Sequence, residues 1–145
     1  MRALIQRVTK ASVTIEGRLF SYIDSGMLVF LGVEKGDSGV NAEKLAEKLV
    51  NLRIFEDENE KMNLSLKDVK GEMLIVSQFT LCGDCKKGTR PSFDKSAPPD
   101  IANDLYEYFI EKVKAQNISV QTGKFGAMMD VELINNGPVT FMVEK

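Results

Sequence analysis

The chain contains no histidine and no tryptophan, and only two cysteines and four prolines among its 145 residues. Without histidine, a Ser-His-Asp or Cys-His triad is excluded, as is any His-ligated zinc site. A general base would have to be a carboxylate, an amine, a tyrosine or the substrate itself. Cys82 and Cys85 form a single C-x-x-C, half of a zinc ribbon with no second half. A thioredoxin-type motif opens a helix, whereas Cys85-Lys86-Lys87-Gly88 is a poor helix start, so the pair reads as two reduced loop thiols. No apolar run approaches the length that spans a bilayer. The start, Met1-Arg2-Ala3-Leu4-Ile5-Gln6-Arg7, carries no apolar signal-peptide core, which makes the cytoplasm the expected compartment. A net charge of −2 gives no general electrostatic footprint for nucleic acid and leaves only a local basic patch open. No metal and no cofactor are expected.

What is present is one alternating pattern of strands and helices over residues 1–145, read as a single domain. Residues 2–16 form a long strand with Ala3, Ile5, Arg7, Thr9, Ala11, Val13 and Ile15 on one face, unless a bulge intervenes. Arg7 then needs a partner, because a guanidinium buried unpaired is costly. A hairpin returns over residues 19–24, and Met27-Leu28-Val29-Phe30-Leu31-Gly32-Val33 is the strongest buried strand. Asp37 or Ser38 caps a helix over residues 40–52, with Ala42, Leu45, Ala46, Leu49 and Leu52 as its core stripe. Arg53-Ile54-Phe55 is extended, and Asp57-Glu58-Asn59-Glu60 is a solvated acidic turn, not a calcium loop. Ser96-Ala97-Pro98-Pro99-Asp100 prepares a second helix with Ile101, Leu105, Phe109 and Val113 inward. Three short strands follow, at 118–121, 128–134 and 139–143, the last two linked by Asn135-Asn136-Gly137-Pro138. Asn-Asn-Gly is hairpin chemistry, and composition alone makes the Gly-Pro peptide trans, since only about 5–6% of X-Pro bonds in folded proteins are cis. The order β-β-β-α-β-β-α-β-β-β gives an α/β domain with a mixed sheet.

The chemistry centres on Ser77-Gln78-Phe79-Thr80. It follows the apolar run Met73-Leu74-Ile75-Val76, a strand buried on both faces, and precedes the polar segment 81–90. Ligands of α/β sheets bind just beyond the carboxyl ends of such strands. Two hydroxyls, an amide and backbone N–H groups freed where the ladder ends could hold an oxyanion there. An ordinary strand end with a solvated turn fits the same residues.

Ser77-Gln78-Phe79-Thr80-Leu81 together with Asn136-Gly137-Pro138-Val139-Thr140 resembles the paired signature of the D-aminoacyl-tRNA deacylases of the bacterial and eukaryotic type. The likeness extends through Asn51-Leu52-Arg53-Ile54-Phe55, Lys61-Met62-Asn63, Arg90-Pro91-Ser92-Phe93 and Gly123-Lys124-Phe125-Gly126-Ala127. Asn136 stands where Asp is commoner, a conservative change for a turn. The resemblance implies a symmetric homodimer of three layers (α/β/β), two helices packed on stacked mixed sheets, with the active site at the interface. It implies hydrolysis of the ester of D-aminoacyl-tRNA at the acceptor end, and of glycine mischarged on tRNA-Ala, releasing amino acid and tRNA. In that family the Gly-Pro element, here Gly137-Pro138, is cis and enters the partner's site. Its carbonyls hold the α-amino group so that no L side chain fits.

By the same resemblance, Ser77, Gln78, Phe79 and Thr80 are the catalytic set, and Phe125, Gly126 and Met129 line the substrate pocket. Ala102 lies near the terminal adenine, and Arg7 braces the Gly-Pro loop. Lys86, Lys87 and Arg90, with Lys10 and Lys95 as further candidates, supply phosphate contacts. Two mechanisms compete: Thr80 as nucleophile, for which the motif offers no base, or water attack assisted by the RNA 2′-hydroxyl with N–H groups near Phe79 and Thr80 as oxyanion donors. The second needs no residue the chain lacks. A non-catalytic aminoacyl-tRNA-binding module and a small-molecule esterase are the other readings. The negative charge and the lack of an evident exposed aromatic platform count against the module.

Overall fold

The computed structural model describes residues 1–145. In chain order the elements are β1 (Arg2–Ile15), β2 (Arg18–Ile23), β3 (Gly26–Gly32), α1 (Gly39–Asn51), β4 (Phe55–Glu56), β5 (Met62–Leu64), β6 (Glu72–Ser77), α2 (Pro99–Lys114), β7 (Ser119–Thr122) and β8 (Asp130–Glu144). A 3-10 turn, Phe79–Cys82, follows β6. The main sheet runs β2-β1-β3-β6-β7, with β8 along the other edge of β1. β1 is antiparallel to β2, β3 and β8, while β3, β6 and β7 are parallel, the arrangement that helix crossovers permit.

Alternation along the central strands divides the core into two. Met27, Val29 and Leu31 of β3 and Met73 and Ile75 of β6 face the helices. Leu28, Leu74 and Val76 face the opposite side, where Val131 and Leu133 of β8 close over them. Both strands are therefore apolar at nearly every position, and the molecule has three layers: helices, central sheet, and the curled continuation of that sheet through β1 and β8. β1 serves both cores by changing face. Ala3 and Ile5 join the helix-side cluster, whereas Val8, Ala11 and Val13 join the other. The register against β8 shifts between Val8 and Lys10, and Thr9 is exposed. The bulge thus removes Thr9 from the expected single face.

α1 buries Ala42, Leu45, Ala46, Leu49 and Val50, close to its expected stripe, and Ser38 caps it while its N–H donates to Asn41 Oδ1 at 2.9 Å. In α2 the buried residues are Tyr106, Phe109, Ile110 and Val113, while Ile101 is exposed. Phe109 and Val113 are thus inward as expected and Leu105 packs partly buried against the core, while Ile101 alone departs from the expected row and points to solvent. The acidic turn closes a small β4–β5 hairpin, and its structure is local. Asp57 accepts from the Asn59 and Lys61 N–H groups and from Asn63 Nδ2. These bonds, Asn63's foremost, hold its carboxyl below the usual range.

The largest departure from expectation is at the C-terminus. Residues 130–144 form one strand, not two joined by a hairpin. Asn135 pairs with Val8 and Thr140 with Gln6, so the four residues 136–139 bulge opposite Arg7 alone. The Gly137-Pro138 bond within this bulge is cis, contrary to what composition alone indicates.

Candidate active site

The parallel ladder ends where Leu31 of β3 pairs with Ser77 of β6. Beyond it the chain turns into the 3-10 helix, seated on β3 by the Gln78 N–H bond to the Leu31 carbonyl at 2.8 Å. Gly32 makes this seating possible: a Cβ there would lie 3.0 Å from Cys82 Sγ and 3.1 Å from Leu81 Cβ. The first bond of the turn runs from the Leu81 N–H to the Gln78 carbonyl. The Phe79 and Thr80 N–H groups thus precede its hydrogen bonding, as the first donors of any helix do. The Gln78 amide donates to Thr80 Oγ1. Cys82 is buried under the turn, and desolvation raises its thiol pKa, with the Glu34 charge adding to the effect. Both cysteines are free thiols.

These residues line one wall of a cavity of about 640 Å³. Ser96, Ala97, Pro99 and Ala102 contribute a second wall from the start of α2, and residues 125–129 with Val131 a third. The third wall is positioned from below. Tyr106 donates to the Ile75 carbonyl at 2.8 Å, burial raises its phenol pKa, and its ring lies 5.9 Å from that of Phe125. Gly123 leaves room for Met129, whose Sδ would lie 2.8 Å from a Cβ there. Of the sixteen lining residues, ten are hydrophobic and none carries a titratable group.

Ser77, Gln78, Phe79, Thr80, Ala102, Phe125, Gly126 and Met129 are therefore brought together around one cavity. Gly137, Pro138 and Arg7 are not. Arg7 pairs with Met27, at the opposite end of β3 from Leu31 and the cavity. There the Arg7 side chain is 4% exposed and makes three contacts. Nε donates to the Asn136 carbonyl at 3.0 Å, Nη1 to the Ile54 carbonyl at 2.8 Å, and Nη2 pairs with Glu56 at 3.0 Å. The guanidinium thus has the partners its burial requires, one of them the half-exposed carboxylate of Glu56, and its contact with the Asn136 carbonyl falls within the Gly-Pro bulge.

Lys86, Lys87 and Arg90 lie on a loop closed by paired backbone bonds between Asp84 and Ser92, at 2.8 and 3.0 Å, and none of the three forms an ion pair. Lys95 shares a second cavity with Lys86. Lys10 stands apart, beside Tyr22 and Glu132 on the β1 side. Sequence reasoning missed one feature here: Phe79 and Phe93 are exposed, with ring centroids 5.0 Å apart, so the chain does carry a surface aromatic pair. They stand fourteen positions apart along the chain, and no periodicity links two loop positions.

An apolar cavity at the carboxyl ends of parallel strands, bordered by a turn of hydroxyl, amide and free N–H groups, defines a small α/β protein built around a ligand site. A model of the D-Tyr-tRNA(Tyr) deacylase family matches residues 4–144. The chain belongs to that family. It is 58% identical over 144 residues to a D-aminoacyl-tRNA deacylase of Thermosipho africanus (strain TCF52B), covering 99% of this chain and 97% of the relative. It is 60% identical to one of Geotalea daltonii (strain DSM 22248 / JCM 15807 / FRC-32), covering 99% and 96%. Among solved structures, one described as a c-Myc DNA unwinding element binding protein superposes with a TM-score of 0.94 at 40% identity, covering 100% of this chain and 99% of the other. A probable eukaryotic D-amino acid tRNA deacylase superposes at 0.83 with 18% identity, covering 99% and 98%, a likeness of fold. No helix is long and apolar enough to cross a membrane.

Proposed function

We propose that the chain hydrolyses the ester of D-aminoacyl-tRNA and of glycyl-tRNA mischarged on tRNA-Ala, in the cytoplasm, as a homodimer whose two sites each borrow the partner's Gly137-Pro138 element. Family membership makes it a D-aminoacyl-tRNA deacylase, a hydrolase. The observation that carries the finer reading is the absence of any titratable side chain around the cavity. The proton acceptor must then come from the substrate or solvent, and an aminoacyl ester brings its own vicinal 2′-hydroxyl. In this mechanism the 2′-hydroxyl orients and assists water at the ester carbonyl. The Phe79 and Thr80 N–H groups receive the developing oxyanion, and the 3′-oxygen leaves with a proton. Ser77 and Gln78 orient the ester and the turn.

Thr80 Oγ1 accepts the Gln78 amide proton and faces no base. Thr80→Ala is accordingly expected to retain D-aminoacyl-tRNA deacylation within about tenfold of the parent, a change of about 1.4 kcal/mol in the barrier. Single-turnover kinetics check this. Complete loss with fold and tRNA binding intact would establish Thr80 as the nucleophile.

The dimer reading is supported by β8. Its edge away from β1 is unpaired over its whole length, and Ile134, Phe141 and Met142 are exposed along it. The Gly-Pro bulge and the cavity lie at opposite ends of β3 in one chain. A two-fold pairing brings one copy's bulge to the other copy's cavity. Lys86, Lys87 and Arg90 then supply moderate, salt-sensitive phosphate contacts at the acceptor end.

A further inference from the structure

Phe79 and Phe93 are large apolar side chains left 57% and 38% exposed, and of the exposed aromatics, which include Phe20, Tyr22 and Phe141, they are the two whose rings pack against each other. The pair is held in place. Gly83 is the seat: a Cβ there would stand 3.0 Å from Phe93 Cε1 and 3.0 Å from the Thr80 carbonyl, so any other residue would displace the ring. The Ser96 N–H donates to the Phe93 carbonyl at 2.9 Å, and the Asp84–Ser92 bridge closes the loop just before it. The rings meet at a tilt of 58°, and both stay open to solvent.

Two surroundings say what would cover them. Phe79 lines the 640 Å³ cavity, and Phe93 packs against its ring without lining that cavity. Gly83 also lines a second cavity of about 420 Å³, together with Lys86, Lys95, Arg2, Asp84 and both cysteines. Arg2 is occupied by Glu34 and Glu144, at 3.2 and 3.1 Å, and Asp84 accepts the Lys86 N–H at 2.9 Å. The ammonium groups of Lys86 and Lys95 form no ion pair. Two exposed rings, one lining a cavity and the other packed on the glycine that borders two free cations, suit a single-stranded nucleotide: the base stacks and the phosphate meets the lysines.

Resting on the reading above, we propose that Phe79 and Phe93 form a stacking subsite for the nucleotide immediately 5′ of the esterified adenosine, with Lys86 and Lys95 facing its phosphate. The subsite grips the unpaired RNA end through a base it does not need to identify, which suits an enzyme that must accept many tRNAs.

The test compares three substrates of the full chain: D-Tyr-tRNA, D-Tyr-tRNA abasic at the penultimate position, and 3′-O-D-tyrosyl adenosine. The parent and Phe93→Leu are assayed side by side; leucine keeps the contact over Gly83 and removes the π face. The expected result is about a tenfold fall in kcat/KM for the parent on the abasic tRNA. Phe93→Leu should fall by a similar factor on intact tRNA, with no added penalty on the abasic tRNA or the adenosine ester. Equal rates of the parent on intact and abasic tRNA would overturn the subsite while leaving the deacylase reading standing, and that arm requires no variant. A Phe93→Leu penalty that persists on the adenosine ester would assign Phe93 a merely structural role and also overturn it. Failure of the parent to hydrolyse any of the three would overturn both.

Discussion

Arg7→Ala is expected to lower stability by about 2–5 kcal/mol, the largest effect of any single substitution considered, with a fall in Tm of roughly 10 °C. Two costs combine. The guanidinium fills a space on the apolar side of β1, and its removal leaves a cavity. It is also the donor to the Ile54 and Asn136 carbonyls, and an orphaned carbonyl costs about 1–3 kcal/mol where water cannot reach it. The lost attraction to Glu56 adds little, because that carboxylate is about half exposed and readily solvated. Arg7→Lys keeps the charge, but its three N–H donors sit on one nitrogen and cannot reach acceptors met by three separate nitrogens of the guanidinium, so it should recover only part of the loss. Thermal unfolding of the three proteins checks the order parent, Lys, Ala. A variant Arg7→Ala as stable as the parent would mean that the bulge and the β4–β5 hairpin hold themselves.

Gly137→Ala carries the second large effect, on selectivity. Gly137 has φ +130°, a conformation essentially reserved to glycine, and an added Cβ would lie 2.6 Å from Val139 Cγ2 and 2.9 Å from Arg7 Nη2. The methyl group has no free space, and the bulge must move to admit it. If the carbonyls of this bulge select against an L side chain, moving them relaxes that selection. The expected outcome is at least a tenfold fall in the ratio of kcat/KM for D-Tyr-tRNA over L-Tyr-tRNA, about 1.4 kcal/mol of lost discrimination. An unchanged ratio in a folded variant would remove the bulge from chiral selection. Arg7 contributes to the same element through Asn136, so Arg7→Lys should shift the ratio in the same direction and by less.

Much of the fold was legible because two periods dominate it. The strands at Met27 and Met73 are apolar at nearly every position, which burial on both faces explains, and the α1 stripe follows helical spacing closely. The cavity wall at residues 77–80 was legible because a buried strand that ends in hydroxyls and an amide marks the place where α/β sheets bind ligands. Other features depend on contacts that no local pattern records. The bulge at Thr9 lets β1 serve two cores, and the continuity of β8 across Asn135-Asn136-Gly137-Pro138 is set by its pairing with β1. Turn-forming residues describe what the chain can do at that point, and the partner strand decides that it bulges and continues. The partners of Arg7 come from Ile54 and Glu56, on and beside a hairpin too short to stand out by alternation. The Phe79–Phe93 pair was invisible for a similar reason: a loop brings together residues whose spacing means nothing by itself.

The site assigns its labour unusually. No side chain lining the cavity carries a titratable group, and under the mechanism we propose, rate enhancement would fall to positioning and to backbone donors at the turn, and selectivity to backbone carbonyls at the bulge. A site working in this proposed way would read the configuration of the α-carbon without reading the side chain it bears. One measurement tests this most directly: parallel deacylation of D-Tyr-tRNA, L-Tyr-tRNA and Gly-tRNA by the purified protein, against spontaneous hydrolysis. The D and glycyl esters should be lost rapidly while the L ester decays at its spontaneous rate. Equal acceleration of D and L would contradict backbone-based chiral selection, and no acceleration of any ester would leave a non-catalytic binding module in its place.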